Sequence, residues 1–176
     1  MKSSAVGGVA HHNGWAILVT ATLEGNLVDR RRVELVDEEL PCMPYHCEGQ
    51  GLPINKAVRL VEKVEASANL YAKKCLEKLS ASIPNKIIGI ALRKFNPLPE
   101  TVKERIQNYQ AMCVADSVMY RDALAKAARR EGGPFFGMTL KPWLMRWGRC
   151  WVVMTLKNFF RSLENCWGRR GKRITN

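Results

Sequence analysis

Between residues 57 and 92 the chain carries two apolar patterns of different period, and their succession leaves few folds open. Ala57, Val61, Val64, Ala68, Tyr71, Cys75 and Leu79 recur at steps of four, three, four, three, four and four. Such spacing lines side chains along one side of an α-helix, and Lys and Glu occupy its other faces. Pro53 suits the first turn of that helix, whose end is expected near Ser80–Pro84. Lys86 then leads into Ile87-Ile88-Gly89-Ile90-Ala91-Leu92, an uninterrupted apolar run. A run this short, reached through a helix of that length, is expected as a buried parallel strand.

The flanking segments fit the same plan. Val9, Trp15, Ile17, Val19 and Ala21 make residues 6–23 strand material that opens the fold. Glu24-Gly25-Asn26 is a hairpin turn signal, and Leu27 to Val36 is expected as a second, antiparallel strand with one wet face. Residues 37–52 form a loop containing Pro41, Pro44, Gly49 and Gly51. After the apolar run, Asn96-Pro97-Leu98-Pro99 breaks the chain. A second helical region is expected from about Glu100 to Arg130, with Val102, Ile106, Tyr109, Cys113, Tyr120, Leu124 and Ala127 as its apolar face. Gly132-Gly133-Pro134 stops it. The order of elements predicts an α/β fold with a mixed sheet.

Composition divides the chain in two. The 28 Lys and Arg and 16 Asp and Glu give a formal charge of +12, which invites a nucleic-acid reading. Residues 133–176 hold nine of those basic residues and one acid, Glu164, so they carry +8 and the body, residues 1–132, only +4. No apolar run reaches the ~18 residues of a membrane span, and the first eight residues are too weakly apolar for a secretory signal, so a cytoplasmic protein is expected. Cys42, Cys47, Cys75, Cys113, Cys150 and Cys166 are scattered with no CxxC pair, which points to free thiols.

The body resembles the RNase H-like superfamily, most closely its RuvC-type resolvase branch. Gly8-Val9-Ala10 followed by Gly14-Trp15-Ala16 is similar to that branch's first strand. Ile87 to Leu92 stands where its fourth strand falls, and Ala115-Asp116-Ser117, Tyr120-Arg121 and Ala123-Leu124 are similar to its following helix. Gly8–Trp15, Asp29-Arg30-Arg31-Arg32-Val33-Glu34 and Pro44-Tyr45-His46 also resemble a bacterial family of unassigned activity. The resemblance covers about 125 residues. It implies an RNase H-like mixed sheet with flanking helices, and two divalent metals held by carboxylates. The first-strand carboxylate would lie near Ala10 or His11 and the fourth-strand one near Ala91, where this chain has no acid. The usual two-metal nuclease chemistry is therefore disfavoured, and fold likeness alone does not restore it.

Other residues could still bear chemistry. His11-His12-Asn13 lies on or just after the first strand, and Cys42, His46, Cys47 and Glu48 lie in the loop that follows the second. If the two segments meet, their imidazoles and thiols suit a borderline divalent metal such as zinc. The spacing Cys42-x3-His46-Cys47 matches no standard zinc knuckle, and the plainer reading has the histidines flanking a turn and the cysteines filling small gaps. Arg30, Arg31 and Arg32 could contact phosphate, but on a strand Arg30 and Arg32 share one face and Arg31 takes the other. A solvated edge with local ion pairs is the simpler account. Asp116 interrupts the second helical face, either as a catalytic or ligand carboxylate or as a buried acid paired with Arg121 or a backbone donor. Cys75 and Cys113 are expected in the core. There is no Walker- or Rossmann-type glycine loop and no serine nucleophile motif.

The tail, residues 133–176, holds Trp143, Trp147, Trp151 and Trp167 of the five Trp and Phe135, Phe136, Phe159 and Phe160 of the five Phe. Aromatics among Arg and Lys could stack on bases or sit at a membrane surface. A shifted reading frame explains the composition better. Met and Trp have single codons, so a frame two bases later forces Asp at Met138-Thr139 and Met154-Thr155, and Gly at Trp147-Gly148 and Trp151-Val152. The tail is accordingly expected to be out of frame with the body or poorly ordered.

The leading functional expectation is a non-catalytic or cryptic RNase H-like protein that acts through binding. One alternative is a metal-dependent nuclease or phosphodiesterase using His11, His12, His46 and Asp116, with a divalent metal as cofactor. The other is a basic nucleic-acid binder that depends on residues 133–176.

Overall fold

The computed structural model describes residues 3–130 and, for the backbone only, Phe135–Met138. Five strands form one sheet: β1 (Ser4–His11), β2 (Trp15–Thr22), β3 (Leu27–Glu34), β4 (Lys86–Arg93) and β5 (Phe135–Met138). Their spatial order is β3-β2-β1-β4-β5. β1, β2 and β3 pair antiparallel, while β4 lies parallel to β1 and β5 parallel to β4. Three helices follow the first three strands: α1 (Ile54–Ser82), then α2 (Val102–Gln107) and α3 (Tyr109–Arg130) after β4. This is the expected α/β architecture, a mixed sheet with flanking helices. No helix among the described residues is long and apolar enough to cross a membrane.

The opening of the fold differs from the single strand expected over residues 6–23. It is a hairpin of two strands that reverse at His12-Asn13-Gly14, closed by the His12 N–H donating to the Trp15 carbonyl at 2.8 Å. Gly14 makes the reversal possible. Its φ is +84°, and a Cβ there would stand 2.8 Å from the Cys42 Cβ. The Glu24-Gly25-Asn26 turn is present as expected, with Gly25 at φ +91°.

α1 buries Ala57, Val61, Val64 and Ala68 as the stripe predicts, then Ala72, Leu76 and Leu79. Tyr71 and Cys75 lie one position off this line and are only half-buried, because the buried line steps by four from Ala68 to Ala72 where the expected stripe steps by three. The second helical region is two helices. Asn108 is extended, and its side chain accepts the Ala111 N–H at 3.0 Å, so α3 starts afresh at Tyr109. The restart turns Tyr109 and Cys113 to solvent, Tyr109 being 72% exposed, in place of the core positions expected for both. α3 buries Ala111, Met112, Ala115, Met119, Tyr120, Ala123 and Leu124 against α1 and the sheet. Its many alanines let it approach on several sides, so one stripe does not describe it.

Cross-strand partners fix which residues share a face. Gly7, Val9 and His11 of β1 lie beside Thr20, Leu18 and Ala16 of β2, and Gly7 also lies beside Ile90 of β4. Ala16, Leu18 and Ile90 belong to the same core cluster as α1 and α3, so this is the face the helices cover. Val6, Gly8, Val19, Ala21 and Ala91 form the opposite face.

β5 takes its backbone from the first residues of the basic segment. The shifted-frame reading and the tryptophan-rich stripe concern residues outside those described.

Candidate phosphate-binding site

β1 and β4 run parallel and end at the same edge of the sheet, β1 at His11 and β4 at Arg93, whose carbonyl meets α3. Adjacent parallel strands deliver their last side chains to one edge of the sheet, which is where open α/β folds place ligand crevices. Phe95, just past β4, links the two strand ends. Its ring meets the His11 ring edge-on at 5.8 Å between centroids, and the Arg93 guanidinium lies 5.0 Å from its centre. From α3, Arg121 Nε donates to the Arg93 carbonyl at 3.2 Å, and its Nη1 pairs with Asp122. Ser117, one turn earlier, accepts a hydrogen bond from His11 on its backbone and donates through Oγ to the Asn13 side chain at 3.2 Å.

The electrostatics of this edge are those of a cationic site. The His11 imidazole is pushed down to about 4, first by burial and then by the positive charges of Arg93 and Arg121, with His12 adding to them. His11 is therefore neutral at physiological pH and presents a hydrogen-bonding ring within the field of two guanidinium groups. A divalent cation does not fit here. Ala10 is exposed and paired with Ile17, Ala91 is buried in β4, and Asp122, the nearby acid of α3, already pairs with Arg121. Hard cations need several charged oxygens, and this edge offers guanidinium groups instead.

Asp116, one residue before Ser117, sits in a different environment. It is 3% exposed, and its two carboxylate oxygens accept the Tyr45 and His46 N–H groups, each at 3.0 Å. Burial raises its carboxyl above the ordinary aspartate range, while those two hydrogen bonds oppose the rise. The buried Tyr120 hydroxyl donates to the Cys42 carbonyl at 3.1 Å. Asp116 and Tyr120 thus fasten the loop of residues 37–52 onto α3. Of the two partners foreseen for Asp116, it has the backbone donor; Arg121 turns to Arg93 and Asp122 instead.

The remaining candidates are dispersed. His12 stacks on Trp15 at 4.0 Å, away from His11, and Arg32 lies over the same Trp15 ring at 4.3 Å. His46 meets Asp116 through its backbone, and its buried Nδ1 has no hydrogen-bond partner. Cys42 and Cys47 are exposed free thiols and do not fill gaps as expected. Cys75 and Cys113 are likewise free. Among the described residues, no group of three or more His, Cys, Asp or Glu is placed to hold a metal ion. On the edge strand β3, Arg31 pairs with Asp29 at 2.7 Å and donates to Ser82 of α1, while Arg32 pairs with Glu34 at 2.9 Å. Arg30 is exposed, and the trio forms no single patch.

Sequence reasoning found His11 and missed Arg93, Phe95, Ser117 and Asn13. The available signal was positional: Arg93 is the first charged residue after the apolar run, and Ser117 and Arg121 lie one helical turn apart.

No protein-family model matches the chain, and no curated protein matches it. Among solved structures, T. thermophilus RuvC in complex with Holliday junction substrate is similar at 10% identity and a TM-score of 0.40, covering 80% of this chain and 66% of that one. The Thermus thermophilus RuvC structure is similar at 12% identity and a TM-score of 0.37, covering 77% of this chain and 63% of that one. The chain thus spans less than two thirds of the length of both.

Proposed function

We propose that this is a non-catalytic RNase H-like protein that binds a phosphate-bearing ligand, nucleic acid foremost, at the shared edge of β1 and β4. The supporting observation is the cluster of His11, Phe95 and Arg93 at the strand ends, with Arg121 of α3 bonded to the Arg93 carbonyl, where a metal-dependent nuclease would need carboxylates. Guanidinium groups attract phosphate and repel divalent cations. Phe95 beside Arg93 adds an aromatic face of the kind on which unpaired bases stack. Asp116 holds the neighbouring loop and takes no part in chemistry.

The test uses the full chain and a fluorescent single-stranded oligonucleotide. Binding should weaken steeply between 50 and 200 mM salt, roughly as counterion release from a few phosphates requires. Arg93→Ala should weaken it by about tenfold, as expected for one lost phosphate contact. No cleavage should appear with Mg2+, Mn2+ or Zn2+. Metal-dependent cleavage abolished by His11→Ala would overturn the reading in favour of a nuclease or phosphodiesterase.

A further inference from the structure

The ends of β1 and β4 and the start of β2 meet at one edge of the sheet, because β2 runs back from the turn that closes β1. Arg93 and Phe95 stand at the β4 side of that edge. A second ring stands further along it. The exposed His12 imidazole lies flat on Trp15, with 4.0 Å between centroids and 12° between planes. His12 directly follows His11, whose own ring meets Phe95, so a single peptide joins the two aromatic groups. Trp15 thus holds the His12 ring in one orientation without burying it. Beyond Trp15 the edge turns acidic. Glu34 is the cross-strand partner of Trp15, and Glu34, Asp37, Glu38 and Glu39 line one cavity. Arg32, the cation over Trp15, is engaged by Glu34 at 2.9 Å. A polyanion is therefore favoured from β4 to β2 and repelled at β3.

We infer, resting on the phosphate site proposed for this edge, that its ligand is a single strand of about three nucleotides whose bases stack on Phe95 and then on His12. From β4 across β1 to β2 is two strand spacings, about 10 Å. At the ~3.4 Å rise of a stacked strand that is about three nucleotides, and the acids beyond Trp15 leave no place for more. The cation beside Phe95 is Arg93, so the first phosphate lies at the β4 side and the strand runs from there towards the β1–β2 turn. Phenylalanine and histidine rings both serve as stacking platforms for unpaired bases, whereas paired bases keep their faces inside the duplex. Every base has such a face, so the site selects a single strand without selecting its sequence. Arg32 takes no part, because its charge is already met by Glu34.

The experiment is competition on the full chain, with unlabelled thymidylate mono-, di-, tri- and hexanucleotides displacing a fluorescent single-stranded oligonucleotide. Affinity should rise by about tenfold or more from one nucleotide to three, then by less than about threefold from three to six. His12→Ala alters an exposed side chain and should remove most of that first rise, with the circular dichroism of the body unchanged. His12→Phe, which keeps a flat ring on Trp15, should restore it. Equal affinity for one and three nucleotides, or a rise that survives in His12→Ala, would overturn the inference and leave phosphate binding at Arg93 standing. A closed hairpin duplex that competes as well as the hexanucleotide would do the same. Absence of binding at every length would overturn the phosphate site itself, and the inference with it.

Discussion

Asp116 and His11 sit close together around one turn of α3, and the protein treats them in opposite ways. Asp116 is an acid whose two oxygens are both taken by backbone N–H groups of the loop it holds. His11 is a base kept neutral by burial and by two arginines at an edge where the chain is only half-buried. A buried acid with both oxygens bonded to backbone N–H groups is a structural tie. A group held out of its ordinary protonation state by burial and then by like charges, at the ends of parallel strands, is a candidate for ligand contact. From sequence alone the two residues had equal standing as catalytic candidates.

The contrast can be broken by substitution. The largest expected effect is on stability, at Asp116. Asp116→Ala leaves the Tyr45 and His46 N–H groups buried without an acceptor and should cost about 3 kcal/mol in urea unfolding. Oligonucleotide affinity measured well below the midpoint should stay within about twofold of the parent protein. A loss of binding larger than the loss of stability would make Asp116 part of the site.

Next comes Gly14, which shapes the turn that carries His11 into place. Gly14→Ala forces a side chain to φ +84° and into Cys42. It should cost roughly 2 kcal/mol or more, visible as a lower midpoint. A neutral outcome would mean the hairpin relaxes without that conformation.

The pH dependence separates the two residues without altering ligand contacts. His11 is lowered in the folded state, so the unfolded chain binds its proton first. Its contribution is full above pH 6.5 and is lost as pH falls from 6.5 through about 4. The full shift is worth roughly 3 kcal/mol; partial exposure of the ring should reduce the loss to roughly 2 kcal/mol, and His11→Gln should flatten that limb. Asp116 has the opposite sign: its raised carboxyl favours the folded state when protonated, and that contribution fades as pH rises through its folded value. Acid destabilisation unchanged in His11→Gln would sink the assignment.

The smallest effect is expected on the edge strand. Arg32→Ala removes an exposed ion pair with Glu34 and a contact with Trp15. It should change stability by no more than about 0.5 kcal/mol, since exposed pairs are weak. Binding should hardly change if the β1–β4 edge is the ligand site.

Much of the fold was legible in the chain because its patterns are local. The stripe from Ala57 to Ala68 and the run Ile87–Leu92 each announce their element. The parallel pairing of β4 with β1 follows from the long helix between β3 and this run. Breaks were harder to see. β1 and β2 are both apolar, and three residues ending in Gly14 are a faint signal between them. Asn108 ends one helix and caps the next through a side-chain bond that composition does not advertise. The site was least legible. Arg93 is an ordinary charge at a strand end until the fold sets it beside His11 and opposite Arg121, which are distant in sequence.

The central claim is that the β1–β4 edge receives phosphate and not metal, and the His11 ring reports on it directly. Its proton resonances should titrate near pH 4 in the free protein. Added oligonucleotide should shift them and raise that midpoint, as phosphate offsets the charges of Arg93 and Arg121. Mn2+ should leave them sharp. Broadening of the His11 signals by Mn2+, with no response to oligonucleotide, would contradict the account.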